Sequence, residues 1–137
     1  MDTNVLVALL DAKDIHHKRA VGLVTSLEDE QRDLLLADCI VGEVYTVFAR
    51  RCVERNYSFS EVVSTIKNQL ESIETLKAYP LVNEIHNGIV ELMVQTNGRL
   101  NYHDALIAIV MRERRIESIA TFDEDFKEIY WIRVQHG

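Results

Sequence analysis

One stretch of the sequence decides the fold, and it reads Leu100-Asn101-Tyr102-His103-Asp104-Ala105-Leu106-Ile107-Ala108-Ile109-Val110-Met111. A helix running on from Asp104 would be apolar around its whole circumference, which is typical of a helix buried in a protein core. Asp104 lies on the same side of that helix as Ala108 and Met111, so its carboxylate would lie at the edge of the core. Asn101 predicts an N-cap, with Asp104 as the acid that the helix dipole favours. Taken alone, the stretch leaves capping and a functional role equally open.

Short apolar runs elsewhere predict buried strands that alternate with amphipathic helices. The strands are predicted at residues 34–37, 74–79, 118–122 and 130–135, after a first strand of which only Met1 precedes Asp2. The longest helix is predicted from Asp38 to Arg55, and Ser58 with Glu61 predicts a capping box on the next one. No connection between strands is a short hairpin. The pattern therefore indicates a three-layer α/β/α fold, in which helices cover both faces of a central parallel sheet.

The size, composition and charge of the chain limit what it can be. Its 137 residues, 47% of them hydrophobic, are expected to form a single domain over residues 1–137. The formal net charge of −7 argues against tight, purely electrostatic binding of nucleic acid over a wide face. No apolar run is long enough to span a membrane, and no secretory signal opens the sequence. Cys39 and Cys52 fall on one predicted helix, too far apart for a disulfide, so we expect a cytoplasmic location.

Four acids occur where a sheet of this kind gathers its ligands. Asp2 and Asp123 directly follow predicted strands, and ligands bind beyond the carboxyl ends of such strands. Glu43 and Asp104 lie near the starts of helices that return from the same edge. Convergent carboxylates stay ionised together only with cations among them, and hard oxygen ligands favour Mg²⁺ or Mn²⁺. Two such ions can promote phosphodiester cleavage, although the pattern does not establish that the four acids meet.

Each acid also has an ordinary structural interpretation. Asp2 could be an exposed terminal residue, and Glu43 a solvated helix flank paired with Arg50. Asp123, in a run of acids after a strand, could be a turn residue. The histidines have no spacing typical of zinc ligands, and only His103, beside Asp104, is a candidate for the site.

Four segments, in order, resemble the signature segments of PIN-domain nucleases: Asp2-Thr3-Asn4-Val5-Leu6, Val41-Gly42-Glu43-Val44, His103-Asp104-Ala105-Leu106-Ile107-Ala108 and Thr121-Phe122-Asp123-Glu124-Asp125-Phe126. Within that family, a compact single domain is similar to the VapC-type toxins of toxin–antitoxin pairs. The resemblance implies a parallel sheet of strand order 3-2-1-4-5 and Mg²⁺- or Mn²⁺-dependent ribonuclease activity. It also implies a homodimer and inhibition by a small antitoxin protein.

The resemblance assigns roles residue by residue. The catalytic, metal-binding acids would be Asp2, Glu43, Asp104 and Asp123. Asn4 and Thr121 would orient them through hydrogen bonds, with Asp125 as an accessory acid. Apart from the resemblance, the net charge of −7 predicts that RNA binds locally through a few basic residues, with Arg50, Arg51 and Arg112 as candidates. The sequence departs from the family in one place: several apolar residues usually precede the first Asp, and here only Met1 does. Either the central strand is short or the chain begins further upstream.

Two other classes of function stay open at this point. The first is a catalytically silent PIN-like module that only binds a partner. The second is a receiver-like, Mg²⁺-binding signalling domain, which needs an Asp at the end of its third strand and a Lys after its last. Here the third strand ends at Ala78-Tyr79-Pro80, and no Lys follows Lys127. A phosphatase of the haloacid dehalogenase type would need a second Asp where Asn4 stands.

Overall fold

The structure, a computed structural model, describes residues 1–137. The α-helices are α1 (Thr3–Leu10), α2 (His17–Asp29), α3 (Asp38–Arg55), α4 (Phe59–Leu70), α5 (Val82–Gln95) and α6 (Tyr102–Glu113). The strands are β1 (Leu35–Ala37), β2 (Glu74–Leu76), β3 (Ser118–Ala120) and β4 (Arg133–Gln135). Two 3₁₀ turns lie at Tyr79–Leu81 and Asp125–Glu128. The long helix predicted from Asp38 to Arg55 is confirmed.

The strands form two parallel pairs, β1 with β2 and β3 with β4. Residues Met1 and Asp2 lie between the pairs. The Met1 amino group donates to the Leu35 carbonyl at 2.9 Å, and the Asp2 N–H donates to the Ala120 carbonyl at 2.9 Å. The order β2-β1-(1–2)-β3-β4 therefore follows the predicted order 3-2-1-4-5. The predicted continuous sheet is not formed, because the two residues at its centre are too few to make a strand.

Several local predictions were wrong in detail. The strand predicted at 74–79 ends at Leu76, because the Asp38 carboxylate accepts the N–H groups of Ala78 and Tyr79 and draws the backbone out of the ladder. The strands predicted at 118–122 and 130–135 are also shortened, to β3 and β4. Ser58 is the N-cap of α4, but its hydroxyl makes no capping bond and lies 3.0 Å from the Ser60 hydroxyl instead.

Helices cover both faces of the strands, as the three-layer prediction requires. The larger core joins α1, α3, α5 and α6 and includes Ile119 of β3. The smaller core lies between α1 and α2 and includes the neighbouring Ala120. Successive residues of a strand point to opposite faces, so β3 separates the two cores. Residues 105–111 of α6 are all buried, which confirms the prediction of a helix that is apolar all round.

The two cysteines and the hydropathy of the helices complete the description of the fold. Cys39 and Cys52 both lie on α3, buried and unpaired, as predicted. None of the helices combines the length and the hydropathy that crossing a bilayer requires.

Candidate active site

Asp2 is fixed at the edge of the sheet where α1 begins. It is the N-cap of α1, and its Oδ1 accepts the Thr3 N–H at 2.7 Å. Its Oδ2 accepts hydrogen bonds from Asn4 Nδ2 at 3.0 Å and from the Thr121 hydroxyl at 2.6 Å. The residue is only 7% exposed. The interpretation of Asp2 as an exposed terminal residue is therefore wrong.

Thr121 and Asn4 tie the start of α1 to the loop after β3. Thr121 is fully buried, and its hydroxyl accepts bonds from Asn4 Nδ2 at 3.1 Å and from the Asp123 N–H at 3.0 Å. The Asn4 side-chain oxygen accepts the Phe122 N–H at 3.1 Å. These bonds place the side chains of Asn4 and Thr121 against Asp2, and the backbone of Asp123 against Thr121.

Asp123 also makes the turn that its local sequence predicted. Its Oδ1 accepts the N–H of Asp125 at 2.8 Å, a local bond typical of Asp in turns. Asp125 begins the 3₁₀ turn that follows and is half-buried. Turn formation and a position beside Thr121 are therefore compatible at this residue.

Glu43 connects three helices. The Thr3 hydroxyl of α1 donates to Glu43 Oε2 at 2.5 Å, and His103 Nδ1 of α6 lies 2.5 Å from Glu43 Oε1. The pairing of Glu43 with Arg50 is not formed, since Arg50 is exposed and makes no ion pair. Sequence reasoning missed Thr3. Its position as the first residue of α1, between Asp2 and Asn4, was the available signal.

Asp104 closes the capping box at the start of α6. Its N–H donates to Asn101 Oδ1 at 2.9 Å, and its Oδ2 accepts the Asn101 N–H at 3.4 Å. The capping interpretation is confirmed. The pKa of the same carboxyl group also depends on the charges of other acids. Burial raises the pKa of Asp104 to about 6, and the charges of Asp2, Asp123 and Glu43 add to the rise.

The pKa of Asp2 shows the same convergence. Burial raises it above its usual range, hydrogen bonds from Thr121 and Thr3 act against the rise, and the charge of Glu43 adds to it. The charges of Asp2, Asp123 and Glu43 thus all act on Asp104, and the charge of Glu43 also acts on Asp2.

The donor set suits a hard divalent cation. As the side chains stand, no three His, Cys, Asp or Glu residues surround a common point closely enough to hold a metal ion. Mg²⁺ does not need such a cage, because it keeps several waters and binds through one or two carboxylates together with substrate phosphates. A cation among these acids would also offset the repulsion that adds to the effect of burial on the pKa of Asp104. The chemistry of these oxygen donors therefore fits a hard divalent cation.

The arginines differ in how many contacts they make with other side chains. Arg51 contacts Asp11 at 2.5 Å and Asp14 at 2.7 Å, and Arg55 contacts Asp11 at 2.7 Å. Arg51 is therefore not free to bind a phosphate group of RNA, contrary to the expectation that it contacts RNA. The Arg112 guanidinium stacks on the Trp131 ring, 4.9 Å from its centroid.

Two comparisons with known proteins give matches that cover nearly the whole chain. The family model of the PIN domain matches residues 1–132. No curated protein matches the chain. The crystal structure of VapC20 from Mycobacterium tuberculosis, described as a toxin that cleaves the sarcin-ricin loop, is similar with a TM-score of 0.71 and 22% sequence identity. The match covers 98% of this chain and 97% of that chain, so the two share a fold over nearly their full lengths.

Proposed function

The chain belongs to the PIN domain family, and we propose that it is a divalent-metal-dependent ribonuclease that serves as the toxin of a toxin–antitoxin pair. The observation that supports the nuclease proposal is that the charges of Asp2, Asp123 and Glu43 all act on Asp104, whose pKa is raised to about 6 by burial first and by these charges in addition. RNA as the substrate and the toxin role are supported by the fold shared with VapC20, a toxin described as cleaving the sarcin-ricin loop.

The acids would hold the metal, and their neighbours would set the direction of each carboxylate. A bound Mg²⁺ or Mn²⁺ supplies activation of water and stabilisation of charge on the leaving oxygen. Thr121 and Asn4 hold Asp2 by hydrogen bonds to the same oxygen. Thr3 and His103 hold one oxygen each of Glu43. The chain's own residues thus present acid oxygens from four segments with little freedom to rotate.

RNA would bind this protein locally. With a net charge of −7, the surface as a whole repels a polyanion. The cations at the acidic site and a few arginines would supply the attraction, with Arg50 and Arg112 as the candidates still exposed. Asp125, beside Asp123, is proposed as an accessory acid.

The proposal extends to partners and location. A small antitoxin protein is proposed as the inhibitor, on the ground that VapC20 is itself described as a toxin. A homodimer is proposed with the exposed Val90 and Val94, one turn apart on α5, as candidate contacts. The free, buried Cys39 and Cys52 support a reducing, cytoplasmic location.

Metal-dependent cleavage of RNA tests the proposed function. A panel of structured and unstructured RNAs is incubated with the protein in Mg²⁺, in Mn²⁺ and in EDTA, alongside Asp104→Asn. Glu113→Gln, an exposed acid on the same helix, is the matched control. We expect cleavage only with metal, a fall of roughly 10²-fold or more for Asp104→Asn because acids that position the reacting groups carry much of the rate, and no change for Glu113→Gln.

A partner-binding module without activity is the second candidate. The absence of three clustered metal ligands is the observation that favours it. If no RNA in the panel is cleaved with either metal, or if Asp104→Asn cleaves as the parent does, the nuclease proposal fails and this candidate takes its place.

A further inference from the structure

The loop after β3 carries an aromatic ring between two residues of the candidate site. Phe122 follows Thr121 and precedes Asp123, and its N–H donates to the Asn4 side-chain oxygen at 3.1 Å. Its half-buried ring packs against the smaller core, which lies between α1 and α2. The backbone and the ring of Phe122 are therefore both held, one residue away from Asp123.

Two side chains from the start of α2 pack on this ring. The guanidinium carbon of Arg19 lies 4.4 Å from the ring centroid of Phe122, within the range of a cation–π contact. The ring centroid of His16, the N-cap residue of α2, lies 5.5 Å from that of Phe122. Arg19 and His16 are both exposed. Helix α2 therefore brings a cation and an imidazole to the segment that contains Asp123.

Arg19 is held in place without an acidic partner. Its Nε donates to the His136 carbonyl at 2.9 Å, and this is the one hydrogen bond of its side chain. The Nη groups keep their N–H donors free for another molecule. Because a guanidinium is planar, two such donors match two oxygens of one phosphate. Arg19 is therefore suited to bind a phosphate group.

Other arginines lack this combination of properties. Arg51 and Arg55 form ion pairs within the protein. Arg112 also lies over an aromatic ring, but that ring belongs to Trp131, outside the segments that carry the acids. Arg19 combines free donors, a held position and contact with an acid-bearing segment.

Helix stability does not account for a cation at this place. Arg19 lies in the first turn of α2, which contains no acid, and the helix dipole disfavours cations there. The charge of Arg19 reaches Glu124 in the loop after β3. The pKa of Glu124 is lowered chiefly by the hydrogen bond from Lys127 and to a smaller extent by the charge of Arg19. The positive charge of Arg19 thus acts on the residues next to Asp123.

We propose that Arg19, held on Phe122, is an RNA-binding residue whose Nη groups bind a phosphate next to the scissile one. This inference rests on the proposed function, which places the scissile phosphate at the acids. Carboxylates repel a polyanion, so RNA at this site needs fixed positive charge close to them. Phe122 is a positioning residue, since it acts on RNA through Arg19.

The salt dependence of RNA binding tests the proposal. The affinity for a short, fluorescein-labelled single-stranded RNA is measured by anisotropy in Mg²⁺, from about 50 to about 200 mM salt. The reference protein and all variants carry Asp104→Asn, so that the RNA stays intact. Each phosphate contact on a single strand contributes about 0.7 to the slope of log K against log salt concentration.

We expect Arg19→Gln to reduce the magnitude of that slope by about 0.7 and to weaken binding by roughly 3- to 10-fold at the lowest salt. Lys18→Gln removes the neighbouring exposed cation, which contacts no aromatic ring, and should leave the slope unchanged. A purely structural role of Arg19 would not alter the slope. Equal slopes in the Arg19→Gln and Lys18→Gln proteins would overturn the proposal.

Two further variants test how Arg19 is held. Arg19→Lys keeps the charge but loses the planar fork, so it should keep the slope and still bind RNA more weakly than the reference protein. Unchanged affinity in Arg19→Lys would contradict binding through the fork, and this holds even if Arg19→Gln fails to fold. Phe122→Leu should weaken binding in the reference protein and have no further effect together with Arg19→Gln. Additive effects of these two changes would contradict the positioning role of Phe122.

RNA cleavage by the protein with Asp104 intact is measured alongside. Cleavage, together with equal slopes in Arg19→Gln and Lys18→Gln, would overturn this inference and leave the proposed function in place. If no RNA is cleaved while Arg19→Gln alone reduces the slope, the nuclease proposal fails and Arg19 remains an RNA-binding residue. Absence of RNA binding by the reference protein would overturn the inference.

Discussion

Asp104 performs two tasks with one carboxylate. Its Oδ2 accepts the Asn101 N–H and so completes the capping box of α6. The same carboxyl group experiences the charges of Asp2, Asp123 and Glu43, and its pKa is about 6. A simple cap would be stabilised as an anion by the helix dipole, with a lowered pKa. The raised pKa therefore indicates that burial and the acidic site outweigh the helix terminus.

The pH dependence of Asp104→Asn separates the two tasks. The folded-state pKa of about 6 lies above the ordinary 3.8, so the stability that Asp104 contributes is present below about pH 4 and is lost as the pH rises through 6. Without metal, we expect Asp104→Asn to be at least as stable as the parent at pH 8 and within about 0.5 kcal/mol of it at pH 5. Urea unfolding at both pH values measures this. An Asp104→Asn variant that is less stable than the parent at pH 8 would contradict the account, whatever its stability at pH 5.

Thr3 is expected to act through Glu43. Thr3→Val keeps the size of the side chain and removes the hydroxyl that donates to Glu43 Oε2. We expect a loss of about 1 kcal/mol of stability and a fall of roughly 10-fold in Mn²⁺ affinity, since partners that orient ligands matter nearly as much as the ligands. Thr3→Ser retains the hydroxyl and should bind Mn²⁺ as the parent does. Equal affinities for the Val and Ser variants would remove Thr3 from the site.

At the scale of elements, α1 connects the site to the rest of the molecule. Its N-cap Asp2 and its first two residues, Thr3 and Asn4, make hydrogen bonds within the candidate site. Its C-cap is Asp11, only 8% exposed, which is held by Arg51 and Arg55 of α3. The two ends of α1 are thus fixed to α3, by Glu43 at one end and by these arginines at the other.

Asp11→Asn tests the anchor at the end of α1. Burial alone would raise the pKa of Asp11, but hydrogen bonds from Arg55, the Lys13 N–H and Arg51 outweigh it and lower the pKa. The stability that Asp11 contributes is therefore present above about pH 4, and it is lost as the pH falls through the lowered pKa of Asp11. We expect Asp11→Asn to lose about 1–3 kcal/mol at pH 7, less than a fully buried pair because both arginines are partly exposed. Thermal melts should show the deficit shrinking below pH 3, whereas the exposed Asp29→Asn should lose nothing. A deficit that stays constant from pH 7 to pH 2.5 would rule out the ion pair as its cause.

Elements with a strong local pattern could be predicted from the sequence. The apolar circumference of α6 and the long apolar face of α3 each fix a helix by local periodicity, and both helices lie where they were expected. The ends of the strands could not be predicted. Strand β2 ends early because Asp38, distant in sequence, accepts the N–H of Ala78, and no local pattern reports such a bond.

The candidate site, too, could be predicted from the sequence only in part. The acids were recognisable from their positions after strands and before helices, and from their order along the chain. The bonds of Glu43 to Thr3 and His103 span 40 and 60 residues, so they arise only from how α1, α3 and α6 pack. The commitment of Arg51 to Asp11 and Asp14 is of the same kind, and it removed a predicted RNA contact.

At the scale of the whole molecule, two strand pairs meet at Met1 and Asp2, and the acids lie at one end of that junction. Asp2 comes from the junction itself, Asp123 from the half that contains β3, and Glu43 from the helix that follows β1. The site is therefore assembled from both halves. Its integrity depends on how firmly they are joined, and a cation shared by the acids would join them further.

The central claim is that four acids from four segments form one divalent-cation site. Isothermal titration with Mn²⁺ tests it directly, on the parent and on variants that each neutralise one acid: Asp2→Asn, Glu43→Gln, Asp104→Asn and Asp123→Asn. The account predicts saturable Mn²⁺ binding to the parent, weakened by roughly 10-fold or more in each of the four variants, and unchanged affinity in the control Glu113→Gln. Mn²⁺ binding as tight as that of the parent in two or more of the four variants would contradict a shared site.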